Sequence, residues 1–220
     1  MTPKAAFDNI VERAERLVAF HGEMAAGLAI VNPMTGPQRN VLNDDLLRSA
    51  LVLAVAALDR YVHDRVTKGI ASAYKKGNLN REQEEFSIPV SLAFEIATRA
   101  SRAQGEQKQT RAANLVRNQV QEILHKRPFQ SWREIEVAFS LIGITGLAGH
   151  IQNAAHLGDI GPYKNQLNEI VRTRNLVVHE GHIRRHKRGG KSTLLEIDSA
   201  TVTGAITYIK GFVGHLETAT

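Results

Sequence analysis

The sequence contains no cysteine, few aromatic residues and no long apolar run. The absence of cysteine excludes disulfides, zinc–thiolate sites, iron–sulfur clusters and thiol nucleophiles. Aromatic residues make up 5% of the chain, and much of the other apolar content is Ala, Leu and Val, which favours packed helices over a β-sandwich. The longest apolar run, from Ala50 to Leu58, falls far short of the ~20 residues that cross a bilayer. Since no hydrophobic signal core follows Met1, we expect a soluble, cytoplasmic protein without a membrane partner.

The length and charge of the chain suit an ordinary globular protein. Its 220 residues can form one compact domain that buries roughly 70% of its unfolded surface. The 28 basic residues exceed the 22 acidic ones and give a net charge of +6. A modest positive charge is compatible with a polyanionic partner, although its position matters more than its size.

Helical periodicity recurs along the chain and predicts a single all-α domain built as an antiparallel helical bundle. Asn43 is a suitable N-cap for the central helix, and 32–40, with two prolines and a glycine, is predicted to be a loop. Pro162 and Gly181 suit the start and the end of the penultimate helix. The predicted segments are long N-terminal helices over 2–29 and 43–76, a helix over 162–180, a basic loop over 182–192 and a last helix over 200–216.

The helix over 162–180 carries a cation on its apolar side. On a helical wheel, Arg174 falls near the middle of the apolar face, and Asn175 and His179 lie one turn apart towards its edge. A buried guanidinium is unfavourable unless it is paired, so Arg174 requires an acidic partner or an anionic ligand. Asp59, between apolar residues of the central helix, is the candidate internal partner. The apolar face comprises Tyr163, Leu167, Ile170, Val171, Val177 and Val178.

The string Arg174-Asn175-Leu176-Val177-Val178-His179 has the form R-N-x-x-x-H and lies near the end of a penultimate helix. In this position it resembles the R-x(4–6)-H motif of the HEPN superfamily. Residues 56–64 are similar to the long early helix of the RiboL-PSP-HEPN branch, and residues 197–213 resemble the final helix of that branch. The resemblance covers most of the chain, and the middle, 87–158, contributes little to it.

This resemblance implies a metal-independent endoribonuclease without a cofactor, acting on RNA as a homodimer with a composite active site. It further implies a role in a toxin–antitoxin, phage-defence or stress system, with an antitoxin or another defence protein as a partner. The chemistry agrees, because RNA carries its own nucleophile, the 2′-hydroxyl. His179 can transfer protons, Arg174 can clamp the phosphate through two parallel contacts, and Asn175 can orient the phosphate or the imidazole.

Basic residues around the motif are predicted to bind RNA. They can gather phosphates beside the site and raise the association rate, although such a run is also typical of a solvated loop. The residues assigned to RNA binding are Arg172, His182, Arg184, Arg185, Lys187, Arg188 and Lys191.

Asp59 and His63 stand one turn apart on the central helix. In one interpretation they lie next to the active site without contacting the RNA, and Asp59 orients the side chain of Arg174 or His179. In the other they form a pair that stabilises its own helix by ~0.3–0.5 kcal/mol.

Two other functions are compatible with the sequence. The first is a non-catalytic HEPN-like module that binds a nucleotide, RNA or a partner protein. The second is a metal-dependent enzyme that uses His179, His182 and His186. Gly181 interrupts the helix between these histidines, and the flanking arginines repel a divalent cation, so we predict no metal site.

Overall fold

A computed structural model describes residues 1–31, 36–84, 89–102, 106–184 and 193–219. It confirms the predicted all-α fold: the described residues form nine helices and one short two-stranded ribbon. The elements are α1 Pro3–Val31, α2 Gly36–Lys76, α3 Arg81–Glu84, α4 Val90–Arg102, α5 Glu106–Leu124, α6 Trp132–Ser140, α7 Leu147–Ala154, α8 Gly161–Glu180, β1 Ile183–Arg184, β2 Thr193–Leu194 and α9 Ser199–Thr218.

The central helix of the bundle is α2, which packs against α1, α5, α6, α8 and α9. The apolar run 50–58 lies in this helix, and Ala54, Leu58 and Tyr61 are fully buried. Neighbours on several sides explain why the run is apolar around most of the helix. Neither α2 nor any other helix in the described ranges is apolar enough, over a sufficient length, to cross a membrane.

The start of α2 differs from the sequence prediction. The helix begins at Gly36, so the predicted N-cap Asn43 lies inside it, and residues 36–40 of the predicted loop are helical. Residues 32–35 of that loop lie outside the described part of the chain. Pro37 stands in the first turn, where a missing N–H removes no helical hydrogen bond. A helix can therefore start at Gly36 and continue through Asn43, which costs only a few tenths of a kcal/mol in helix propensity.

The last helix, α9, closes the core. Its N-cap Asp198 accepts hydrogen bonds from Thr201 N, at 2.8 Å, and from Thr201 Oγ1, at 2.7 Å. Five apolar residues that recur at helical spacing along one face of α9 are all buried, and they join the same core as α1 and α2. They are Val202, Ile206, Ile209, Phe212 and Val213.

A tight contact between Gly69 and Ile142 generates a test of the packing. A Cβ added at Gly69 would lie 2.5 Å from Ile142 Cγ2, so Gly69→Ala should lower the free energy of unfolding by about 1 kcal/mol or more. Gly211→Ala in α9 is the matched control, because no heavy atom lies within 4 Å of its added Cβ. It should raise the free energy of unfolding by up to ~1 kcal/mol. Equilibrium urea denaturation measures both, and equal stabilisation by the two substitutions would contradict the packing.

Candidate active site at the end of α8

The position of α8 is fixed by its packing against the bundle and by polar contacts with α6. Leu167 and Val171 are its buried residues, and Asn168 Oδ1 accepts a hydrogen bond from Trp132 N at 3.2 Å. The packed face is narrower than the sequence predicted. Val178, which was expected on the apolar face, is 48% exposed, because the buried residues of α8 lie in its earlier turns.

An open groove runs between the start of α6 and the last turns of α8, with a volume of about 360 Å³. It brings together three of the predicted site residues: Arg172, Asn175 and His179. His179 is exposed to solvent and Asn175 is half-buried, so both can meet a ligand. The remaining lining residues are Ser131, Asn168, Val171, Leu176 and Glu180.

Arg174 lies beside this groove, half-buried. Its Nη1 donates a hydrogen bond to Asn175 Oδ1 at 2.9 Å, and its Nε is buried without a hydrogen-bond partner. Within the described ranges, no carboxylate forms an ion pair with Arg174. The prediction that Asp59 pairs with Arg174 is therefore wrong, because the Asp59 carboxylate binds other groups.

Asp59 instead holds the chain segment that leads into α6. Its Oδ1 accepts a hydrogen bond from Phe129 N at 2.6 Å and lies 3.7 Å from His63 Nε2. The His63 ring packs on the Phe129 ring with centroids 4.7 Å apart. Two residues later, Ser131 caps α6 and lines the groove. Asp59 and His63 thus contact the segment behind one wall of the groove, and neither orients Arg174 by direct contact.

The end of α8 is fixed by a left-handed turn and a buried contact. Gly181 has φ 59° and His182 has φ 57°, so the chain turns back into the protein. Arg48 Nε donates to His182 Nδ1 at 3.3 Å, and Arg48 Nη2 donates to Leu195 O at 2.9 Å. The sequence analysis did not identify Arg48 as a supporting residue. The pattern that could have indicated it is a cation on the same helical face of α2 as the apolar residues Leu51 and Val55.

The assignment of His182 to RNA binding is wrong in this structure. Its side chain is 3% exposed, and the ring nitrogen Nδ1 is taken up by Arg48. The conformation at Gly181 turns the chain inward after the last helical residue, so the imidazole enters the core and does not continue the exposed row begun by His179.

Most of the predicted basic loop lies outside the described residues. The two strands that flank 185–192 form a ribbon, in which β1 pairs antiparallel with β2 and Ile183 lies opposite Leu194. Arg184 belongs to β1. The assignments of Arg184 and of the four remaining basic residues to RNA binding stay predictions. Those four, Arg185, Lys187, Arg188 and Lys191, fall in 185–192, outside the described part of the chain.

A family model described as RiboL-PSP-HEPN matches residues 23–218. This chain belongs to the RiboL-PSP-HEPN family. The match includes all of α2 and α8, the two helices that build the groove and its supports. No curated protein and no solved structure matches the chain.

In this HEPN protein, the contact between Arg48 and His182 generates a pH-dependent stability. Burial, and then the charge of Arg48, lower the pKa of His182 below the usual 6.5. Burial also lowers the pKa of His63. Below about pH 6.5 the unfolded chain therefore binds more protons than the folded one, so the free energy of unfolding falls as the pH is lowered. His182→Asn should make this decline shallower, because asparagine does not titrate and tolerates a positive φ.

The measurement is urea denaturation between pH 7.5 and 5.5, a range chosen around the reference value of about 6.5. The matched control is His156→Asn, since His156 is exposed and has a similar backbone, with φ 51°. It should retain the wild-type dependence on pH. An unchanged slope in His182→Asn would show that the buried histidine is not a source of the decline.

Proposed function

We propose that this RiboL-PSP-HEPN protein is a metal-independent endoribonuclease. HEPN domains are often ribonucleases, and membership of the family is compatible with a nuclease or another RNA-related module. The observation that carries the proposal is the half-buried Arg174 guanidinium, which has no carboxylate partner among the described residues and stands about one and a half turns before the exposed His179.

Arg174 and Asn175 supply the proposed phosphate contacts. A guanidinium offers several donors in one plane, which suits the oxygens of a phosphodiester and the extra charge of its pentacoordinate transition state. Asn175 Oδ1 already accepts from Arg174 Nη1, so the amide holds the orientation of the guanidinium before RNA binds. Arg172, which pairs with Glu169 at 3.2 Å, lines the groove together with Asn175.

His179 supplies the proposed proton transfer. Cleavage requires a base that removes the proton from the 2′-hydroxyl and an acid that protonates the leaving 5′-oxygen. Attack of the 2′-oxygen on phosphorus breaks the bond to the 5′-oxygen, and the products are a 2′,3′-cyclic phosphate and a 5′-hydroxyl. An exposed imidazole can serve in either role, because imidazoles ordinarily titrate near neutral pH.

One groove contains one histidine among its lining residues, whereas the reaction uses an acid and a base. We therefore propose a homodimer in which two motifs face a shared cleft and each His179 performs one transfer. The biological setting that we propose is a toxin–antitoxin, phage-defence or stress system, in which an antitoxin or another defence protein restrains the cleavage of RNA.

The single histidine also favours a second candidate function. A groove lined by one imidazole, the amides of Asn168 and Asn175, and Arg172 is sufficient to bind a phosphate without cleaving RNA. In that case the protein is a binding module for a nucleotide, RNA or a partner protein, and Arg174 is a ligand-binding cation.

Cleavage of single-stranded RNA in the presence of EDTA tests the proposal. The wild-type protein should cut the RNA, and His179→Ala should reduce the rate by about 10²- to 10⁴-fold, the usual effect of losing a general acid or base. His150→Ala, which removes an exposed histidine from α7, should cut at the wild-type rate. Arg174→Lys should also be slow, because lysine keeps the charge but not the planar pair of donors.

An all-deoxy oligonucleotide of the same sequence should remain intact, because it lacks the nucleophile. Cutting of this DNA at the rate of RNA would contradict the mechanism. Intact RNA that is nevertheless bound by the wild-type protein would favour the binding module.

A further inference from the structure

Two adjoining grooves flank the C-terminal half of α2, away from the motif of α8. The first, of about 580 Å³, lies between the start of α1, α2 and α5. The second, of about 550 Å³, lies between α2 and the segments 78–83 and 142–144. Lys68 and Ser72 line both, so the two grooves form one continuous surface, called here the α2 basic groove.

The charged side chains that line the α2 basic groove are mostly positive. Asp64 is the one carboxylate among its lining residues in the described chain, and Arg60 Nε binds it at 2.7 Å. This ion pair largely neutralises the positive charge of Arg60. The cations that line the groove are Arg60, Arg65, Lys68, Lys75, Lys76 and Arg117.

Four of these cations are exposed and have no acidic partner within the described ranges: Lys68, Lys75, Lys76 and Arg117. Some surface cations outside the groove are paired: Arg16 binds Glu12, and Lys210 binds Glu15 from a different helix. A concave surface that concentrates unpaired positive charge raises the local concentration of an anionic ligand.

We propose that the α2 basic groove binds the sugar–phosphate backbone of single-stranded RNA, at a site separate from the candidate active site. The neutral polar side chains of the groove, such as Ser72, Asn80 and Asn114, are typical donors to phosphate oxygens. The described lining residues include no aromatic side chain, so bases are not stacked there. Binding is therefore independent of sequence.

A smaller pocket adjoins the groove, because Arg60 and Asp64 line it together with Asp59 and His125. In this proposal, the RNA held along α2 is the same molecule that enters the α8 groove. In this respect the inference rests on the proposed function, because the RNA that is held is the substrate to be cut.

The charged face of the groove argues against a lipid surface. Membrane-binding surfaces combine basic residues with exposed apolar side chains that enter the bilayer. Among the large exposed apolar side chains of the described chain, Met1 alone lines the groove, whereas Phe20, Val90, Phe94 and Val178 do not.

Fluorescence anisotropy with a 2′-O-methyl RNA of roughly 20 nucleotides measures binding without cleavage, since the oligonucleotide has no nucleophile. Lys68→Gln/Lys75→Gln/Arg117→Gln should weaken binding by about tenfold or more. The slope of log affinity against log salt should decrease by about 2, because each lost phosphate contact on a single strand contributes about 0.7. The control, Arg16→Gln/Arg133→Gln/Lys210→Gln, removes the same charge from α1, α6 and α9 and should bind like the wild-type protein.

Equal affinity and equal salt slope in the two triple variants would overturn the inference. Unchanged RNA binding with a loss of binding to phosphatidylserine vesicles would also overturn it, by assigning the groove to a lipid surface. The failure of the proposed nuclease activity can be distinguished from the failure of the proposed RNA groove. If the wild-type protein does not cut RNA but the groove variant loses affinity for it, the proposed nuclease fails and the RNA groove stands.

Discussion

Arg174 imposes the constraint on which the proposed function depends, since its charge is partly removed from water without a carboxylate partner among the described residues. Its observed partner is the amide of Asn175, and its Nε is buried without an acceptor. A guanidinium in this state is less stable than one that is paired or fully hydrated. A bound phosphate would supply the missing acceptors. The same property that makes Arg174 unfavourable in the free protein therefore makes it suitable for binding an anion.

The supports of the site converge on α2. Near the start of this helix, Arg48 holds His182 and Leu195, which fixes the chain on both sides of the β1–β2 ribbon. About three turns later, Asp59 holds Phe129 and with it the segment behind Ser131. Both side chains act on the surroundings of α8 and neither reaches the motif itself. The geometry of the groove is thus set by polar contacts from two α2 side chains that do not line it.

The parts of the molecule that depend on periodicity could be predicted from the sequence. The all-α class and the buried face of α9, from Val202 to Val213, follow from apolar spacing, and the structure confirms both. The start of α2 could not be predicted correctly, because Asn43 carries a capping signal that a longer helix overrides. The half-burial of Arg174 was also visible, since a helical wheel places it on an apolar side.

Contacts between distant segments could not be predicted from the sequence. The partner of Asp59 is a backbone N–H at Phe129, and backbone donors carry no sequence signal. His182 looked exposed because it follows His179 by three residues, but the left-handed conformation at Gly181 turns it into the core. The α2 basic groove was equally hidden, since its cations come from α2 and α5 and are brought together only by helix packing.

The most direct test of the central claim is the NMR signal of the Arg174 Nε–H group during a titration with an uncleavable 2′-O-methyl tetranucleotide. The signal is identified by its absence from the spectrum of Arg174→Lys. If the guanidinium receives the phosphate, the Nε–H signal should shift and saturate together with the imidazole signals of His179. Saturation of the His179 shifts with no change at Arg174 would show that the arginine is not the phosphate ligand and would contradict the account.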